Sequence, residues 1–113
     1  MQQLIERIHA LTPRIRYVAV YQRGALVSSV KQALAGASSA ESDKYEELIV
    51  NPTLLTLLSQ RGDIDCGGLQ FVLIRYGSFF EYVARIDQGH LSVGIECDAD
   101  VMAIAAAIGN TVG

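Results

Sequence analysis

The sequence predicts an α+β fold in the order α-β-β-α-β-β-β-α, with one five-stranded antiparallel sheet flanked by helices. Three observations carry this. Two stretches, "YVAVY" (17–21) and "LQFVLIRY" (69–76), are dense in β-branched and aromatic residues, which suit a pleated surface. The turns between successive strand candidates are short, and short turns join only antiparallel neighbours. Apolar residues recur at helical spacing near both ends and in the middle of the chain.

The elements follow in order. Leu4, Ile5, Ile8 and Leu11 mark a short amphipathic helix, closed by Pro13. "RIRYVAVYQ" (14–22) is the first strand, Arg23-Gly24 the turn, and "ALVSSV" (25–30) the returning strand. Residues 31–44 are rich in Ala, Ser and Gly and read as a loop that could hold a loose helical turn. A longer helix is expected over about Lys44–Gln60, stopped by Gly62. Proline removes a backbone donor and crowds the preceding turn, so Asn51-Pro52 predicts a kink or two successive helices, with Asn51 capping the second. Three strands follow as a meander over about Leu69–Tyr76, Phe79–Asp87 and Leu91–Glu96. Asp98 or Asp100 can cap a final helix whose stripe is Val101, Ile104, Ala105, Ile108 and Val112. The whole of residues 1–113 is expected to form one domain.

Strand side chains alternate between faces. In the last strand Leu91, Val93 and Ile95 predict a buried face, and Ser92, Gly94 and Glu96 a polar one. The third strand is apolar on both sides and needs a second cover. The middle helix is the candidate, but its apolar set (Tyr45, Leu48, Ile49, Val50, Leu54, Leu55, Leu57, Leu58) wraps far more than one stripe. Burying each Leu or Phe contributes roughly 1.5–3 kcal/mol. A subunit interface built from this helix and the third strand is therefore expected, with Tyr45, Leu48, Leu55, Phe71 and Leu73 in the contact.

The charge balance is −3 with no basic block, which argues against a nucleic-acid site. No apolar run approaches the ~18 residues of a membrane span. Gln2, Gln3, Glu6 and Arg7 interrupt any secretory leader, so a reducing cytoplasm is the expected setting for Cys66 and Cys97. No phosphate-binding loop or dinucleotide fingerprint occurs. "CGG" (66–68) reads as a turn before a strand. "ECDAD" (96–100) could hold a metal through its carboxylates, but helix capping explains it with fewer assumptions. His9, His90, Ser28 and Ser29 have no catalytic partners at recognisable spacing. The expectation is a protein without enzymatic activity, cofactor or metal.

The run "YVAVYQRGALVSS" (17–29), a middle helix, then "LQFVLIRYGSFFEYVARID" (69–87) and "HLSVGIE" (90–96) before a capped helix resembles the roadblock/dynein light chain family, of profilin-like architecture. The resemblance is one of element order and hydrophobic pattern. It implies a sheet with the middle helix on one side and the terminal helices on the other. It also implies a homodimer, or a dimer with a paralogous chain, in which third strands pair edge to edge and middle helices pack together. Bacterial and archaeal members regulate small Ras-like GTPases, and eukaryotic members act as scaffolds. The partner surface implied here lies near the middle helices, where Lys44, Glu46, Glu47 and Arg61 are the expected solvent-facing charges. Asn51-Pro52 departs from the pattern by interrupting that helix. Two other function classes remain open: a small-molecule sensor with a cavity between helix and sheet, and a small metal- or thiol-dependent enzyme.

Overall fold

The computed structural model describes residues 1–31 and 40–113. Helix α1 (Gln2–His9) leads into strands β1 (Ile15–Gln22) and β2 (Ala25–Val30). The middle helix begins as α2 (Ala40–Tyr45), widens into a π-helical turn (Glu46–Val50) and continues as α3 (Asn51–Asp65). Strands β3 (Val72–Arg75), β4 (Phe80–Ile86) and β5 (Gly89–Ile95) and helix α4 (Val101–Val112) complete the order. The five strands form one antiparallel sheet in the order β2-β1-β5-β4-β3. Fold class and element order are those the sequence predicts.

One sheet face carries the apolar core. Val18 and Val20 of β1, Tyr82 and Ala84 of β4 and Leu91, Val93 and Ile95 of β5 are buried in one cluster with Ile5 and Ile8 of α1 and Ala105 and Ile108 of α4. The registers Val18↔Val93 and Tyr82↔Val93 put these side chains side by side. Asp100 caps α4 as expected, accepting from the Ala103 amide at 3.3 Å. The terminal helices thus cover one face, and the middle helix lies across the other.

The middle helix corrects several expectations. Residues 40–44 are regular helix, where the sequence allowed a loose helical turn in a loop, while 32–39 lie outside the described residues. Pro52 neither breaks the chain into two helices nor takes Asn51 as its cap. The turn before it widens instead, and the Asn51 amide bonds to the Glu46 carbonyl five residues back. A π turn absorbs a residue that cannot complete an ordinary helical ladder, and such turns concentrate at functional positions. Gly62 does not stop the helix either. It is buried, its carbonyl accepts from the Cys66 and Gly68 amides, and the helix runs on to Asp65. Helical packing against 68–69 needs the missing side chain: a Cβ at 62 would lie 3.1 Å from the backbone of Gly68 and Leu69.

The third strand is shorter than expected. Only Val72–Arg75 pairs with β4, leaving Phe71 just outside the ladder and stacked on Tyr82 at 5.3 Å. The outer edge of β3 is one of the two edges of the sheet.

Candidate functional site

The face of the sheet under the middle helix holds a buried polar cluster. Alternation sends Ala19, Tyr21, His90, Ser92 and Glu81 to this side, opposite the apolar core. The sequence reading of Ser92 as part of a polar, open face is therefore corrected. Ser92 is fully buried, as are Glu47 and Asn51, and Glu81 and His90 are nearly so.

Glu47 is the hub. Its Oε1 lies 2.8 Å from His90 Nε2 and accepts from Asn51 Nδ2 at 3.0 Å. Its Oε2 accepts from the Tyr17 hydroxyl at 3.0 Å. The ring of His90 stacks on Tyr21 with centroids 5.7 Å apart. Asn51 Nδ2 also reaches Ser92 Oγ at 3.4 Å, and Ser92 donates to Glu81 Oε1 in a short hydrogen bond. Helix and sheet are thus joined by a chain of polar contacts in a region closed to water. Such groups hold their stabilising value only while every partner is present.

The local environment moves several ionisations. Burial pushes the Glu81 carboxyl up to about 8, although the Ser92 hydrogen bond pulls the other way. Burial likewise raises Glu46, whose Oε1 accepts from the Tyr76 hydroxyl at 2.7 Å. The Tyr17 and Tyr76 hydroxyls are raised, chiefly by burial and then by their carboxylate neighbours.

These contacts overturn two of the expected partner-facing charges. Glu47 is sealed inside the helix–sheet junction, and Glu46 is half-buried against Tyr76, because the π turn directs both consecutive side chains inward. Lys44 and Arg61 are exposed as expected, in ion pairs with Glu41 at 3.8 Å and Asp65 at 2.6 Å. Of the expected interface residues, Tyr45 and Leu48 are exposed. Leu55 is a correction: it is buried within its own chain, on the sheet side of α3. Phe71 and Leu73 are half-buried and pack against the apolar core. The middle helix leaves Tyr45, Leu48, Ile49, Leu57, Leu58 and Ile64 exposed by 38 to 75 %.

The remaining candidates are dispersed. Cys66 and Cys97 are both exposed. In "ECDAD", Glu96 pairs with Arg16 at 3.0 Å and Asp98 with Arg14 at 3.5 Å, so its carboxylates diverge into separate ion pairs. His9 Nε2 lies 3.2 Å from the Ser29 carbonyl. No described helix is long and apolar enough to cross a membrane.

Between the start of the middle helix and the sheet lies a cavity of about 540 Å³. Its walls come from β1, the helix, the β3–β4 turn and β5. Gly94 forms part of the floor, where a Cβ would press on Tyr17 at 3.3 Å.

No family model matches the sequence, and no curated protein matches it either. The likeness is in the fold. A roadblock/LC7 domain from Streptomyces avermitilis superposes with a TM-score of 0.74 over 99 % of this chain and 91 % of its own, at 14 % identity. MglB in a tetrameric arrangement gives 0.64 over 98 % and 86 %, at 13 % identity. MglC from Myxococcus xanthus gives 0.54 over 98 % and 94 %, at 14 % identity. The chain therefore has the roadblock/LC7 fold.

Proposed function

We propose that residues 1–113 form one non-catalytic interaction module that assembles with a second copy, or with a paralogous chain, through the middle helix and the edge of β3. The observation that carries this is the set of exposed apolar side chains along the middle helix, from Tyr45 to Ile64. Large apolar side chains left exposed together on one element mark contact sites. The outer edge of β3 lies at the margin of the sheet, unpaired among the described residues, and offers backbone groups to a neighbouring strand. The roadblock/LC7 fold and the tetrameric arrangement of MglB support assembly.

The assembled module presents its surface to a small Ras-like GTPase in the cytoplasm, following the family resemblance. Lys44 and Arg61 supply exposed charge near the helix face. Rim charges of this kind act more on encounter rate than on affinity. The test has two stages. Light scattering at micromolar concentration should give a mass above one chain; a single-chain mass, with no paralogous chain retained on purification, overturns the assembly. A small GTPase encoded beside this chain should then bind it, and Lys44→Glu with Arg61→Glu should slow association without changing the assembled mass. Unchanged association would place the GTPase elsewhere.

A further inference from the structure

Two of the four residues that the middle helix buries between 46 and 65 are polar: Glu47 and Asn51, beside Leu55 and Gly62. The sheet answers them with Tyr17, His90 and Ser92, and Ser92 in turn engages Glu81 of β4. Glu81 is 2 % exposed, and no ion pair reaches it among the described residues. It lines the same cavity as Glu46 and Glu47, which open the π turn of the helix. A carboxyl buried without a cation keeps its proton, because the charged form loses most on leaving water. Burial, opposed by the Ser92 hydrogen bond and reinforced by the charges of Glu47 and Glu46, holds that proton up to about 8.

We propose that the protonation of Glu81 controls whether the start of the middle helix, residues 40–50, is seated on the sheet. With Glu81 neutral the start is seated. Once Glu81 loses its proton, the start swings out and takes Tyr45, Leu48 and Ile49 from the surface proposed for assembly, so alkaline conditions weaken that assembly. The assembly half rests on the proposed function; the opening does not. The ionised carboxylate would face Glu47, which is fully buried and cannot turn to solvent while the helix is seated. Like charges in a dry junction repel far more than in water. Releasing 40–50 returns Glu46 and Glu47 to water and lets water reach Glu81. The π turn is where the helix can bend. Pro52 has no amide to give the Leu48 carbonyl, and the Asn51 amide already reaches back to Glu46. Leu55 and Gly62 hold α3 in place beyond it.

The groups around Glu81 leave its charge unmatched. From β1, Arg16 pairs with Glu96 at 3.0 Å and lies over the Phe79 ring, while Tyr17 donates to Glu47. Tyr76, after β3, donates to Glu46, and His90 of β5 stands 2.8 Å from Glu47. On β4 itself Arg85 donates to Ser59. Asp43 of α2 is a further acid and only adds to the repulsion. Residues 32–39 contain no ionisable side chain.

The seated state keeps the proton up to about 8, whereas a hydrated carboxyl releases it near 4.5. Opening should therefore grow by about tenfold per pH unit inside that window and level off above it. Amide hydrogen exchange of the intact chain measures this, expressed as protection relative to a free amide at the same pH. Protection of the 46–50 amides should fall by about tenfold per unit from about pH 6 to about pH 8. It should lie below that of β1 and β5 throughout. Glu81→Gln, which stays neutral, should abolish the fall. An equal fall in Glu81→Gln overturns the proposal, and so does helix protection no lower than that of the core strands, because opening would then be global. If Glu81→Gln does not fold, Ser92→Ala serves: it removes the hydroxyl that pulls the Glu81 titration down, so the levelling-off should move to higher pH, and an unmoved one overturns the proposal. Sedimentation should show assembly about tenfold or more weaker at about pH 9 than at about pH 6 in the wild type and unchanged in Glu81→Gln. Equal weakening in both overturns the link to assembly. A single-chain mass at every pH overturns the assembly reading instead, and exchange still decides the opening.

Discussion

Glu47 Oε1 stands 2.8 Å from His90 Nε2, and the two side chains are 0 % and 3 % exposed. One comes from the π turn of the middle helix and the other from β5, 43 residues later. The pair fastens the helix to the polar side of the sheet.

Removing the hub should therefore be expensive. Glu47→Ala leaves Tyr17, Asn51 and His90 facing an empty site, and breaking a buried charged network by one partner costs about 3–5 kcal/mol. Glu47→Gln, which keeps the shape, should cost less. Urea unfolding measures both. A loss within about 0.5 kcal/mol for Glu47→Ala, as at a neutral surface site, would show that the cluster does not hold the helix.

Glu81 makes stability depend on pH. Its carboxyl titrates near 4.5 when freely hydrated and near 8 in the fold. Below that window both states hold the proton. Inside it the unfolded chain has released the proton and the folded chain retains it, so stability falls as pH rises from about 4.5 to about 8. Glu81→Gln should flatten this slope and gain relative stability at the alkaline end. Urea midpoints across the window decide it; equal slopes in the two proteins would remove Glu81 as the cause.

Two helical glycines should respond oppositely to alanine. A Cβ at Gly109 meets nothing within 4 Å, so Gly109→Ala should stabilise by about 0.4–1 kcal/mol through helix propensity and a less flexible unfolded chain. A Cβ at Gly62 meets backbone at 3.1 Å, which cannot swing aside as a side chain would, so Gly62→Ala should destabilise by about 1–3 kcal/mol. Melting temperatures of the two variants should move in opposite directions; a stabilised Gly62→Ala would mean that the 68–69 turn yields easily.

Leucines of the same helix should separate assembly from folding. Leu48→Asp and Leu57→Asp change exposed positions and should lower the solution mass to one chain while leaving circular dichroism unchanged. Leu55→Asp puts a charge at a buried position and should unfold the chain. If Leu48→Asp and Leu57→Asp both retain the wild-type mass, the apolar row is not the contact.

Local pattern determined much of this protein. The short turns at Arg23-Gly24 and Gly77-Ser78, the α4 stripe and the Asp100 cap depend on neighbours a few residues away, and those signals are written in the order of residues. The apolar alternation of Leu91, Val93 and Ile95 likewise identified the core face. Alternation separates two faces of a strand, but it does not say what covers either one. Alternation assigns Ser92 to the polar face, and only the middle helix lying over that face buries it. Glu46 and Glu47 looked like surface charges because local propensity places acids on the open side of a helix. Tertiary packing decided otherwise: Pro52 is accommodated by a wider turn, that turn brings both carboxylates toward the sheet, and their partners, Tyr17, Tyr76 and His90, lie some 30 to 43 residues away in sequence. A hydrogen bond between distant residues leaves no periodicity in the chain, so only the folded arrangement could show which polar groups were to be buried together.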